Sequence, residues 1–137
     1  MIGDNKKFDQ FITDHRWAVI TTLRKDGHPS SSWVAYARDG DTLVISTPGR
    51  TLKRKTLEND PRVTVCCTND KAPFNFVTIE GRADIETENI VAPTKAVFAN
   101  IKGFGYEEPE NLEQWMEDQE RVILRIHPER VSGVIRD

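Results

Sequence analysis

The chain has 137 residues, of which 37% are hydrophobic and 30% charged, with a formal net charge of −3. This describes one globular domain, 1–137, with enough chain to bury a core without disulfide or metal staples. The acidic balance gives no general attraction to nucleic acid or anionic membrane, no apolar run approaches the roughly 18 residues of a membrane span, and MIGDNKKFDQF lacks the apolar stretch of a secretory signal, so a cytoplasmic protein without such partners is expected.

In chain order, Phe8, Phe11 and Ile12 recur at helical spacing between Asp4 and Asp14, with Asp4 as the N-cap. RWAVITTL is β-branched and apolar on both faces, the pattern of a covered strand. Asp26-Gly27 signals a hairpin into SSSWVAYA, and RDGD turns again into TLVIST, so a three-stranded meander is expected. PGRTLKRKTLEND reads as a short helix stopped by Pro61. RVTVCCT resumes the sheet and sends the adjacent Cys66 and Cys67 to opposite faces, which makes neither a disulfide framework nor a metal knuckle.

Asn75 to Glu86 alternates cleanly, with Val77, Ile79, Ala83 and Ile85 on one side and Gly81 in the same register marking a bulge. Asn89–Lys102 and Asn111–Asp118 are predicted helices around the Gly-rich KGFGYEEPE. RVILRI and RVSGVI supply the last strands. The fold class is therefore mainly β: a closed or nearly closed antiparallel barrel of about six strands with peripheral helices.

The densest chemical signal is Arg50, Lys53, Arg54 and Lys55, placed after a strand and a Pro-Gly turn and opening a helix. Unpaired backbone N–H groups at a helix start favour an anion, and the added cations make phosphate the natural ligand. A solvated charge run is the competing reading. Helical spacing brings Leu57 close to the arc shared by Arg50, Lys53 and Arg54, so the loop and first turn are expected to supply the basic groups.

Other signatures are missing. His15, His28 and His127 are dispersed, against a metal site. Ser30, Ser31 and Ser32 lack a Gly-x-Ser-x-Gly elbow and read as hydrogen-bond donors to a ligand or as a polar strand face. Neither a Gly-x-Gly-x-x-Gly fingerprint nor a Walker loop occurs. With no side chain suited to difficult chemistry, a cofactor would have to carry it.

The order AVITTLRKDGHPSSSWVAYARDGDTLVISTPGRTLKRKTLENDPRVTVCC, then FVTIEGRADI, then ERVILRIHPERVSGV resembles the FMN/deazaflavin-binding split β-barrel family related to pyridoxamine 5′-phosphate oxidase. Within it, the chain is most similar to the actinobacterial branch that uses coenzyme F420. The resemblance implies a homodimer with two cofactor sites at the subunit interface and hydride transfer to an unsaturated or quinone-like small molecule. It places Lys53 on the cofactor phosphate with Lys55 beside it, ahead of Leu57, Asp60, Pro61 and Arg62. Arg50 stands one position before Thr51, where the family often has Arg or Ser.

By the same resemblance, Ser30, Ser31, Ser32 and Trp33 lie along the ring, and Ser46 and Thr47 line the ring or its ribityl chain. Phe74 reaches the ring of the neighbouring subunit. Trp33 equally reads as core and Phe74 as interface packing, while Phe104, Tyr106 and Trp115 read as an apolar lid or as packing on the barrel. An FMN-binding oxidoreductase and a non-catalytic flavin-type binding protein are the alternatives on the same barrel.

Overall fold

The computed structural model describes residues 1–136. Its strands are β1 (Trp17–Leu23), β2 (Pro29–Ala35), β3 (Ala37–Asp39), β4 (Thr42–Pro48), β5 (Arg62–Thr68), β6 (Phe76–Glu86) and β7 (Arg121–Val134). Its helices are α1 (Lys6–Asp14), α2 (Leu52–Asn59), α3 (Val91–Asn100) and α4 (Leu112–Asp118). All pairings are antiparallel, in one curled sheet of order β2-β1-β5-β6-β7-β4-β3. Among the described residues, no helix is long and apolar enough to cross a membrane.

The expected meander does not form. β1 and β2 make a hairpin with Leu23 opposite Pro29, but β2 and β3 end up at the two ends of the strand order. Only Tyr36 separates them, and two residue steps reach at most about 7 Å. The sheet must therefore roll until its edges nearly meet. Tyr36 secures that closure, its N–H donating to Arg16 O at 2.9 Å and its phenol to Ile12 O at 2.7 Å.

RVILRI and RVSGVI are also not two strands but the halves of β7, whose first half pairs with β4 and whose stretch from Ile123 to Val134 pairs with β6. The join works because of Gly81. The register shifts between Glu80 and Gly81, so that Gly81 faces Pro128, a residue that cannot donate to a ladder. A Cβ at Gly81 would lie 2.0 Å from His127 O, so only glycine fits. The first helix starts one residue later than expected: Asn5 is the cap, its Oδ1 accepting from Lys7 N and Phe8 N at 2.9 and 3.1 Å.

Alternation builds two cores. The inner faces of the strands bury Ile20, Leu43, Ile45, Val65, Val77, Ile79 and Leu124, and Phe11 and Ile12 of α1 and Leu57 of α2 join them. Outside the sheet, Val44 and Ile123 pack with Val97 of α3 and Leu112 and Met116 of α4. Because α3 and α4 cover only part of the outer surface, a cavity remains where β2, β4 and the start of β7 meet them.

Candidate functional site

The site begins at the end of β4. Pro48 is opposite Arg121 in the β4–β7 ladder, and Gly49 N–H donates to Glu120 O at 2.7 Å. A Cβ at Gly49 would meet that same oxygen at 2.6 Å, so glycine is what lets the turn press onto the segment entering β7. Thr51 caps α2 without a side-chain bond to the helix, its Oγ1 going instead to Pro48 O at 3.1 Å, and the first turn has no acidic residue. The helix start therefore contributes positive potential. A buried hydroxyl pair, Thr22 Oγ1 to Thr56 Oγ1 at 2.8 Å, ties α2 to β1.

This geometry sets Lys53 beside Arg121 on one cavity wall. The Lys53 ammonium is held below its ordinary value, first by burial and then by the Arg121 charge. Burial pushes the Arg121 guanidinium down to about 10, so it stays charged at neutral pH. Arg121 lies over the Trp115 ring at 4.3 Å and donates from Nη1 to Gln119 Oε1 at 3.2 Å. Its Nε is buried with no acceptor. Among the described residues, neither cation has a carboxylate partner.

The cavity encloses about 480 Å³. Ser46, Thr47 and Pro48 of β4 line it next to the cations, and the Ser46 hydroxyl is buried without a hydrogen-bond partner. Trp17, Trp33 and Tyr106 form an aromatic wall, with Trp17 stacked near Trp33 at 6.3 Å and edge-on to Tyr106 at 5.7 Å. The tryptophan pair follows from register: Trp17 is opposite Ala35, so Trp33 is its diagonal neighbour, within reach of large rings. Val97, Phe98 and Ile101 of α3 close the apolar side, and Glu107 is the one carboxylate on the lining. Two converging cations, two unsatisfied buried polar atoms and flat apolar walls suit a planar ligand carrying an anionic group.

Of the residues singled out from sequence, Trp33, Ser46, Thr47 and Lys53 are brought together here. Thr51 sits just behind them, its Oγ1 3.2 Å from that of Thr47. The others lie outside the cavity. Arg50 is exposed and 3.8 Å from Glu120, Lys55 is exposed, and Arg54 reaches Glu58 at 2.5 Å and Gly49 O at 2.9 Å. Ser31 bonds Thr21 at 2.8 Å on the outer face, and Ser30 and Ser32 alternate to the inner side of β2. Trp33 is 57% exposed, so it is not core, and Phe74 is exposed in the loop before β6, away from the cavity of its own chain.

Tyr106 and Trp115, singled out from sequence as lid or packing aromatics, also line the cavity, whereas Arg121 and Trp17 were not anticipated. Trp17 carried a usable signal, a tryptophan at a strand start two positions from the register of Trp33. Arg121 carried none, being one arginine among several at strand ends.

The family model described as pyridoxamine 5′-phosphate oxidase matches residues 5–135. No curated protein matches the sequence. Among solved structures, the chain is similar to a conserved hypothetical protein of Mycobacterium tuberculosis, with TM-score 0.77 and 22% identity over 96% of this chain and 85% of that one. It is similar to an F420 reductase, with TM-score 0.75 and 19% identity over 94% and 98%. A FAD-binding protein from Mesorhizobium loti aligns with TM-score 0.72 and 20% identity over 96% and 94%. At these identities the likeness is one of fold.

Proposed function

The chain belongs to the pyridoxamine 5′-phosphate oxidase family, and from that premise we propose that it is an oxidoreductase that uses coenzyme F420 to reduce an unsaturated or quinone-like small molecule. The observation that carries the reading is the pairing of Lys53 with Arg121, without a carboxylate partner, on the wall of a cavity that also holds the unsatisfied Ser46 hydroxyl. Two cations left side by side cost stability unless an anion sits between them.

On this reading, Lys53 and Arg121 hold the cofactor phosphate and Ser46 Oγ donates to an adjacent oxygen. Trp17 and Trp33 present flat apolar faces to the ring system and keep water from it. When bound, the deazaflavin supplies the hydride. The protein positions it and balances its charge, which is why no nucleophile or strong general base is built into the wall.

A second reading, FMN as cofactor, is favoured by one observation. Only Lys53 and Arg121 line the cavity, while Arg50, Arg54 and Lys55 lie outside it. A compact pair of cations matches a terminal phosphate, whereas the longer anionic tail of coenzyme F420 needs Arg50 or Lys55 at the cavity mouth. We further propose that a second copy of the chain completes the site. The exposed Tyr106 beside the cavity, and Phe74, are the surfaces it would cover.

Titrating the purified protein with coenzyme F420 and with FMN, followed by fluorescence, tests the reading. Binding of coenzyme F420 alone supports the first, preference for FMN replaces it with the second, and binding of neither refutes both. Lys53→Ala should weaken the bound cofactor by about 1.5–3 kcal/mol, the range of a charge-assisted hydrogen bond. Sedimentation mass tests the second copy, since a monomer at working concentration contradicts it.

A further inference from the structure

Trp17 and Trp33 are a shared wall. On the side away from Lys53 they line a second cavity of about 380 Å³, completed chiefly by His15, Arg16, Asp70, Lys71 and Phe104. From this we infer a separate ligand site, for a planar aromatic anion such as an aryl carboxylate.

The charge is the first reason. Arg16 places its guanidinium 3.9 Å from the centre of the Phe104 ring, and its donors go to backbone carbonyls: Nε to Asn100 O at 3.2 Å and Nη2 to Asp14 O at 3.0 Å. Those acceptors orient the group without neutralising it. Lys71 is exposed and, among the described residues, in no ion pair. Two uncompensated cations face one carboxylate, Asp70, so the cavity carries a net positive charge even with His15 neutral.

Shape is the second. Trp17, Trp33 and Phe104 give three aromatic walls, and flat faces reward a planar guest that offset-stacks between them. The third reason is the histidine. His15 stacks on Phe11 at 3.7 Å, and its Nδ1 is 2.8 Å from Phe11 O. A carbonyl only accepts, so Nδ1 carries the proton and Nε2 is the ring's acceptor when neutral. A guest that also carries an O–H or N–H finds its acceptor at Nε2, while the anionic group is what the two cations require. The two cavities meet only through the tryptophan pair, so a ring held in one is parted from a ring held in the other by the indole wall, and the two sites are distinct.

Direct binding of naphthoate, with naphthalene methanol as its uncharged counterpart, tests this without requiring turnover. Naphthoate should bind, and the uncharged alcohol should bind at least about tenfold more weakly, the loss expected when a charge-assisted hydrogen bond is removed. Lys71→Gln should weaken naphthoate by a comparable factor and leave coenzyme F420 and FMN titrations unchanged. Lys53→Ala should do the reverse. Arg16→Gln should act like Lys71→Gln, and because Arg16 also ties Asn100 to the loop, Lys71→Gln decides if that variant does not fold.

Equal binding of acid and alcohol, indifference of naphthoate to Lys71→Gln, or its loss in Lys53→Ala each overturns the inference. If naphthoate behaves as expected while neither cofactor binds, the ligand site stands and the redox reading fails. If a cofactor binds and naphthoate ignores Lys71, only the inference fails.

Discussion

Arg121→Met separates a guanidinium kept for function from one kept for the fold. Methionine preserves the unbranched stem that packs on Trp115 and removes the charge. In the folded protein that charge is half-buried, and Nε has no acceptor, so removing it relieves roughly 1–3 kcal/mol of unsatisfied desolvation. Against this stand the cation–π contact with Trp115, about 0.5–1 kcal/mol, and the single bond to Gln119, about 1 kcal/mol. The terms cancel to within about 1 kcal/mol, so the urea midpoint should move little, with an unchanged denaturant slope.

Cofactor affinity should respond quite differently. Loss of a charge-assisted contact is worth about 1.5–3 kcal/mol, which is roughly tenfold to a hundredfold in dissociation constant. Parallel urea unfolding and cofactor titration of the same variant provide both numbers. A stability loss above about 2 kcal/mol would show that the guanidinium holds the fold, and unchanged affinity would remove it from the site.

Three further outcomes follow from the geometry. Affinity for the anionic cofactor should fall as pH rises toward the alkaline range, starting below the ordinary lysine value, because the Lys53 charge needed to hold the anion is lost there; an affinity flat across that window contradicts the assignment. Gly81→Ala forces a Cβ against His127 O, a backbone atom, and should cost roughly 3 kcal/mol by prying β6 from β7; a thermal melt near wild type would mean the bulge is not tight. Thr56→Val should cost about 1–3 kcal/mol by stranding the Thr22 hydroxyl, and Thr22→Val should cost less because Thr56 Oγ1 still donates to Lys53 O at 3.1 Å; additive losses in the double-variant cycle would disprove the pairing.

What the sequence made legible was local. Alternation from Val77 to Ile85, the bulge at Gly81 and the short α2 stopped by Pro61 are set by neighbours a few residues apart, and the structure contains all of them. Lys53 belonged to the same class, a cation at a helix start beside a cavity-lining strand end. The expected meander failed because hairpin signals report turns and not which strand a strand finally joins. Closure at Tyr36 sends β3 to the far edge, and nothing within reach of that tyrosine in sequence announces it.

Arg121 shows how a site residue can be fixed by parts of the sequence that say nothing about chemistry. Its direction is decided by its successors: Val122 and Leu124 bury themselves inside the barrel, so Arg121 and Ile123 must face out. Its depth along the strand is decided by the β4 pairing, which sets it opposite Pro48 and hence beside the turn that leads to Lys53. A slip of one residue would turn the guanidinium into the core and eject Val122 and Leu124. That error costs many times the few kcal/mol available from any anion contact, so the hydrophobic register positions the cation pair before a ligand is present. The same register, acting through Trp17 and Ala35, places the tryptophan wall opposite, and the site is assembled by packing decisions made elsewhere in the sheet.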